Sequence, residues 1–180
     1  MFLRILVLGI GNILFGDEGI GVHLSNLLKL NYRYGGEHSV EIIDGGTLAQ
    51  HLIPLITSYD HVVILDCIDT GGGKVGEVYF FDFSNVPNFI TWQGSAHEVE
   101  MLQTLRLMEM NGDLPKVKII GVIPEVIGSQ TAFDLSGEVI KASSVMEQLA
   151  LKHLRELGVK IERVNERKIE EIAPLSYRGF

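Results

Sequence analysis

Cysteine is nearly absent from this sequence. The 180 residues contain one, Cys67, so no internal disulfide can form, and this predicts a cytoplasmic protein. Positive charge is also short: 15 Lys and Arg stand against 23 Asp and Glu, leaving a net charge of −8. Nonspecific binding to nucleic acid needs a basic footprint, and its lack argues against that partner. No apolar run approaches the ~20 residues of a bilayer-spanning helix, so no membrane role is expected. The N-terminus has one early Arg4, then enters a strand without a small-residue cleavage site, which does not fit a signal peptide. Repeats, linkers and low-complexity segments are missing too. What is present is a chain with 46% hydrophobic residues, enough for one α/β domain with its own core.

The chain is organised around the loop from Gly9 to Gly21, Gly-Ile-Gly-Asn-Ile-Leu-Phe-Gly-Asp-Glu-Gly-Ile-Gly. The run Ile5-Leu6-Val7-Leu8 before it reads as a strand buried on both faces. Ile20, Leu24, Leu27 and Leu28 after it mark one face of a helix. A loop between a strand's C-terminal end and a helix lies where open α/β sheets bind ligands. A dinucleotide fingerprint fails here, because its third glycine would fall at Leu14, and no Walker lysine is present. The loop instead carries Asp17 and Glu18 where an anion would sit. Asp17 alone reads as a helix cap, and Glu18 as an acid suited to the positive end of the dipole. The density of glycine around them favours a loop that holds Glu18 at the mouth of the crevice, ready for a cation.

Further along, the strand Val40–Ile43 ends at Asp44-Gly45-Gly46-Thr47, and a helix begins near Leu48, kinked or ended at Pro54. The strand His61–Leu65 ends at Asp66. Asp69 and three glycines lead to the β-prone, aromatic segment Glu77–Phe83. That link is too short for a crossover helix, so this strand is expected to run antiparallel. Ser95 and Glu98 form a capping box for a helix to about Asn111, with His97 in its first turn. The strand Val117–Ile123 and a helix from about Ser136 to Leu157 follow. Residues 162–180 are charged and read as a mobile tail. The expectation is a single-domain, three-layer α/β/α fold around a mixed sheet with one antiparallel strand.

Glu18, Asp44, Asp66 and His97 all fall at strand C-termini or helix starts, which converge on one edge of such a sheet. Carboxylates and an imidazole suit a hard or borderline divalent metal. A histidine at a helix N-terminus tends to stay neutral, the form that binds metal. Other chemistry finds little support. No serine occupies a nucleophile elbow, His97-Glu98 does not extend to a second zinc histidine because position 101 is Met, and the remaining histidines show no metal spacing. Cys67 reads as a small buried hydrophobe.

The opening Leu8-Gly9-Ile10-Gly11-Asn12-Ile13-Leu14 with Asp17-Glu18-Gly19-Ile20-Gly21 resembles the hydrogenase maturation endopeptidases. So do Ile43–Thr47, Val63–Asp66, Ser95-Ala96-His97 and Gly121–Glu125, in order and spacing, over roughly the first 155 residues. The resemblance implies an endopeptidase that removes a C-terminal extension from the large-subunit precursor of nickel–iron hydrogenase after nickel insertion. It implies metal contact by Glu18, Asp66 and His97, and importance for Asp44 in a catalytic or orienting role. It implies an α/β/α sandwich whose five-stranded sheet has one antiparallel strand. The partner is then the precursor, nickel arrives with it as part of the substrate, and the protein is expected to be a monomer. Another divalent metal could occupy the isolated protein. Two alternatives stand beside this: a metal-dependent amidohydrolase or peptidase holding its own zinc, and a non-catalytic nickel-binding chaperone.

Overall fold

The computed structural model describes residues 1–47, 49–86, 96–125 and 131–178, without the side chains of residues 49 and 96–100. The apolar run after Arg4 forms β1 (Arg4–Ile10), buried at every position past the first. A 3-10 turn, Gly16–Gly19, leads into α1 (Ile20–Asn31). Then come β2 (Tyr32–Gly35), β3 (Ser39–Gly46), a 3-10 turn running into the single-turn α2 (Ile53–Ile56), and β4 (His61–Cys67). Pro54 sits in the first turn of α2, where its missing N–H costs nothing. The chain continues through β5 (Val78–Asp82), α3 (Ala96–Asn111), β6 (Lys116–Val122), α4 (Gly137–Glu156), β7 (Lys160–Arg163) and α5 (Ile169–Arg178).

Five strands make one sheet in the order β3-β1-β4-β6-β5. β1, β3, β4 and β6 are parallel, and β5 alone runs antiparallel, along β6. The short glycine-rich link after Cys67 accounts for this: it carries no crossover helix. β4 is central and buried at all seven positions, as a strand covered on both faces must be.

Strand alternation divides the core into two layers. Val7, Val63, Leu65 and Ile120 pack with α1 and α4 through Leu24, Leu28, Met146 and Leu154. Leu6, Leu8, Ile64 and Ile119 pack with α3 through Met101, Leu105 and Met108. Each fully buried aliphatic contributes about 1.5–3 kcal/mol relative to exposure. α1 lies unusually close to the sheet because glycines meet there. A Cβ on Gly21 would come within 2.2 Å of the carbonyl oxygens of Ile10 and Leu65.

One expectation needs correction. Residues 162–178, part of the segment 162–180 read as a mobile tail, are built into the fold. β7 pairs antiparallel with β2, a second small sheet. α5 buries Ile169, Ile172 and Ala173, an i, i+3, i+4 stripe. Asn31 holds its approach, donating to the Arg167 carbonyl at 2.8 Å and accepting from the Arg167 N–H at 3.1 Å. The stripe is short and surrounded by charge, so composition hides it.

Candidate active site

β1, β3 and β4 deliver their C-terminal ends side by side. Gly9 of β1 pairs with Asp44 of β3 on one side and Leu65 of β4 on the other. The two acids at strand ends therefore flank β1, one residue out of step. Asp66 alternates with Leu65 and so shares a face with Val62 and Ile64, the face covered by α3. It is 1% exposed, and its Oδ1 accepts the Cys67 N–H at 2.7 Å. Asp44 shares parity with Ile42, on the face covered by α1. It is exposed, and its Oδ1 accepts the Gly46 N–H at 2.9 Å, an Asx turn that fixes the carboxylate over the strand end.

Glu18 is half-buried in the turn that bridges the two faces. Its backbone is held from both sides. Its N–H donates to the Phe15 carbonyl at 3.2 Å, and its carbonyl accepts the Asn12 N–H at 3.1 Å. A Cβ on Gly11 would lie 2.0 Å from the Glu18 carbonyl oxygen. Only glycine admits this crossing, which explains the loop's glycine content at that position.

His97 is the second residue of α3, and its imidazole and Ser95 lie outside the described residues. The backbone nevertheless fixes where the residue belongs. α3 ends at Asn111, and β6 begins at Lys116, at the N-terminal end of the parallel strands. A helix of 16 residues spans about 24 Å, so its first turn returns to the C-terminal edge. His97 thus shares both edge and face with Asp66. Among the described side chains no group of three metal-binding residues is assembled.

Asp17 is not the helix cap that its position suggests. It is fully buried and makes no side-chain bond within its own turn. Its carboxylate reaches instead to Glu125 and Ser136, more than a hundred residues away in sequence. No local pattern signals this.

Other histidines meet far from the acids. Nε2 of His61 and Nε2 of His153 are 2.8 Å apart at the N-terminal end of β4. Burial, helped by each other and by Lys116 and Lys118, pushes His61 down to about 4. His153 is lowered too, chiefly by burial and also by Lys118. A cavity of about 450 Å³ opens beside His61, lined also by Asp82, Lys116 and Lys118. It lies at the opposite edge of the sheet from Asp66.

The comparisons with known proteins agree with this fold. A family model described as hydrogenase maturation protease matches residues 22–153. Protein HydD of Wolinella succinogenes is 72% identical over 159 residues, covering 88% of this chain and 100% of that protein. The hydrogenase 2 maturation protease of Escherichia coli is 34% identical over 159 residues, covering 88% of this chain and 94% of its own length. Among solved structures, the hydrogenase maturating endopeptidase HybD from E. coli superposes with a TM-score of 0.77 at 31% identity, over 89% of this chain and 97% of that one. The chain belongs to the hydrogenase maturation proteases.

Proposed function

We propose that this protease removes the C-terminal extension of a nickel–iron hydrogenase large-subunit precursor, and that it recognises the nickel already bound there. The observation that carries the proposal is the buried carboxylate of Asp66 at the sheet edge, beside a loop whose backbone is locked around Glu18. Asp66 is 1% exposed. Its edge and face are those to which α3 returns His97. Two carboxylates and one imidazole are a modest donor set for nickel, which favours nitrogen and sulfur. They suit a metal whose strong ligands come from elsewhere, namely the precursor. Glu18, Asp66 and His97 then hold the metal-bearing segment of the substrate so that the neighbouring peptide lies along the sheet edge.

Asp44 is not in that ligand set. It projects from the α1 face, and the Asx turn leaves it facing solvent at the strand end. It serves as a base or as an orienting acceptor for the water or peptide at the cleft. Asp44→Asn retains the Gly46 bond, so the fold persists while cleavage falls.

The test incubates purified protein with nickel-free and nickel-loaded precursor and follows release of the C-terminal peptide by mass. Cleavage of the loaded precursor only, lost in Asp66→Asn and His97→Ala, is the expected result. Equal cleavage of both forms would favour a self-contained metallopeptidase. Tight binding without cleavage would favour a chaperone.

A further inference from the structure

Asp17 adjoins Glu18 yet faces the other way, into the protein. Three donors converge on its carboxylate. The Glu125 N–H reaches Oδ2 at 2.8 Å, the Ser136 N–H reaches Oδ1 at 2.7 Å, and the Ser136 hydroxyl reaches Oδ2 at 2.7 Å. Ser136 is the N-cap of α4, and its Oγ also accepts the Val139 N–H at 3.3 Å. The carboxylate therefore sits at the positive end of a 20-residue helix. On its other side, the Asp17 carbonyl accepts the Cys67 thiol at 3.1 Å, and Cys67 follows Asp66 directly. A short bridge completes the clamp: Gly16 N–H donates to the Ala132 carbonyl, and Ala132 N–H to the Leu14 carbonyl, at 2.6 and 2.9 Å.

We propose that Asp17 is the positioning residue of the site, holding Glu18 in register with Asp66 by tying the loop to α4, to the end of β6 and to Cys67. The inference rests on the role proposed above for Glu18 and Asp66. Its physical basis is that nothing covalent short of the whole sheet links those two acids. One short path between them runs from Glu18 to Asp17, across the thiol bond to Cys67, and back to Asp66. Asp17's buried carboxylate sets where that path starts. All three of its partners are donors, so an amide in its place turns an N–H toward an N–H and loses at least one bond.

Three variants of the full chain test this: Asp17→Asn, Ser136→Ala and Glu18→Gln. Two readouts are taken well below each variant's melting temperature. One is the rate at which maleimide labels Cys67, the chain's only thiol and 1% exposed. The other is kcat and KM for the nickel-loaded precursor. Losing charge-assisted bonds to a buried carboxylate predicts labelling about tenfold faster or more in Asp17→Asn, with KM raised about tenfold. Ser136→Ala removes one bond to Asp17, together with the N-cap bond from Val139, and keeps both backbone donors, so it gives a smaller shift in the same two quantities, and Ser136→Thr restores them. Should Asp17→Asn fail to fold, the Ser136 pair decides alone. An unchanged KM in the folded variants overturns the inference, whatever the melting temperature or labelling rate. Glu18→Gln separates the two levels. If it cleaves normally, the reading of the site fails; if it is impaired while Asp17→Asn and Ser136→Ala are not, only the positioning role fails.

Discussion

Acid should destabilise this protein through a histidine that performs no chemistry. His23 lies on α1 with 0% exposure, and neither ring nitrogen has a hydrogen-bond partner among the described residues. Its ring fills the space under the active-site turn, where a Cβ on Gly19 would sit 2.9 Å from Nε2. Burial lowers its pKa from 6.5 to about 4. The folded state thus refuses a proton that the unfolded chain accepts. The associated stability is complete above the unfolded pKa of 6.5, declines as pH falls, and is gone once pH passes below the folded value. At about 1.4 kcal/mol per pH unit, a gap of this size is worth about 3 kcal/mol. His23→Leu removes the proton and two unsatisfied polar atoms while keeping most of the volume. Near neutral pH the variant should match or exceed the wild type, because buried unsatisfied groups cost about 1–3 kcal/mol. Urea unfolding at a series of pH values between 7 and 4 measures the difference. The wild type should lose about 3 kcal/mol relative to the variant across that window. His61 and His153 titrate in both proteins and cancel. Parallel curves for the two proteins would refute the reasoning, as would an NMR titration placing His23 near its ordinary pKa.

Two further outcomes follow from packing. His153→Ala strands Nε2 of His61 and should cost about 1–3 kcal/mol, yet leave precursor cleavage unchanged, because the pair sits at the far end of β4 from Asp66; a cleavage assay beside thermal melting checks both halves. Gly21→Ala drives a Cβ into two backbone carbonyls at 2.2 Å and should lift α1, costing about 1–3 kcal/mol or more. Gly137→Ala, with open space at its Cβ, is the control and should melt like the wild type.

The continuous apolar strands β1, β4 and β6 were legible because a strand buried on both faces has no alternative pattern. β5 was legible for a topological reason: the link before it is too short to return the chain in the parallel sense. α4 announced itself through Ser136 at its start and Gly158 past its end. β2 and β7 were not legible. Each has four residues, and their pairing joins Tyr32 to Arg163 across the whole chain. α5 escaped notice because three apolar positions among charges carry little weight in composition, and its burial depends on α1 and on Asn31. Positions 44, 66 and 97 could be read as candidates because strand and helix ends are marked by local sequence. What their neighbours do could not.

Asp17 and Glu18 show why. In sequence they are equivalent: two acids between glycines ahead of a helix. The difference arises from the 3-10 turn, which rotates successive side chains by about a third of a turn. One carboxylate enters the interior and finds three donors that the fold supplies from Glu125 and Ser136. The other stays half-buried at the edge. Burying the first without those donors would cost several kcal/mol, so the turn can exist only once β6 and the start of α4 are in place. The crevice therefore depends on contacts with the end of β6 and the start of α4. Its geometry belongs to long-range contacts and not to the motif that marks it.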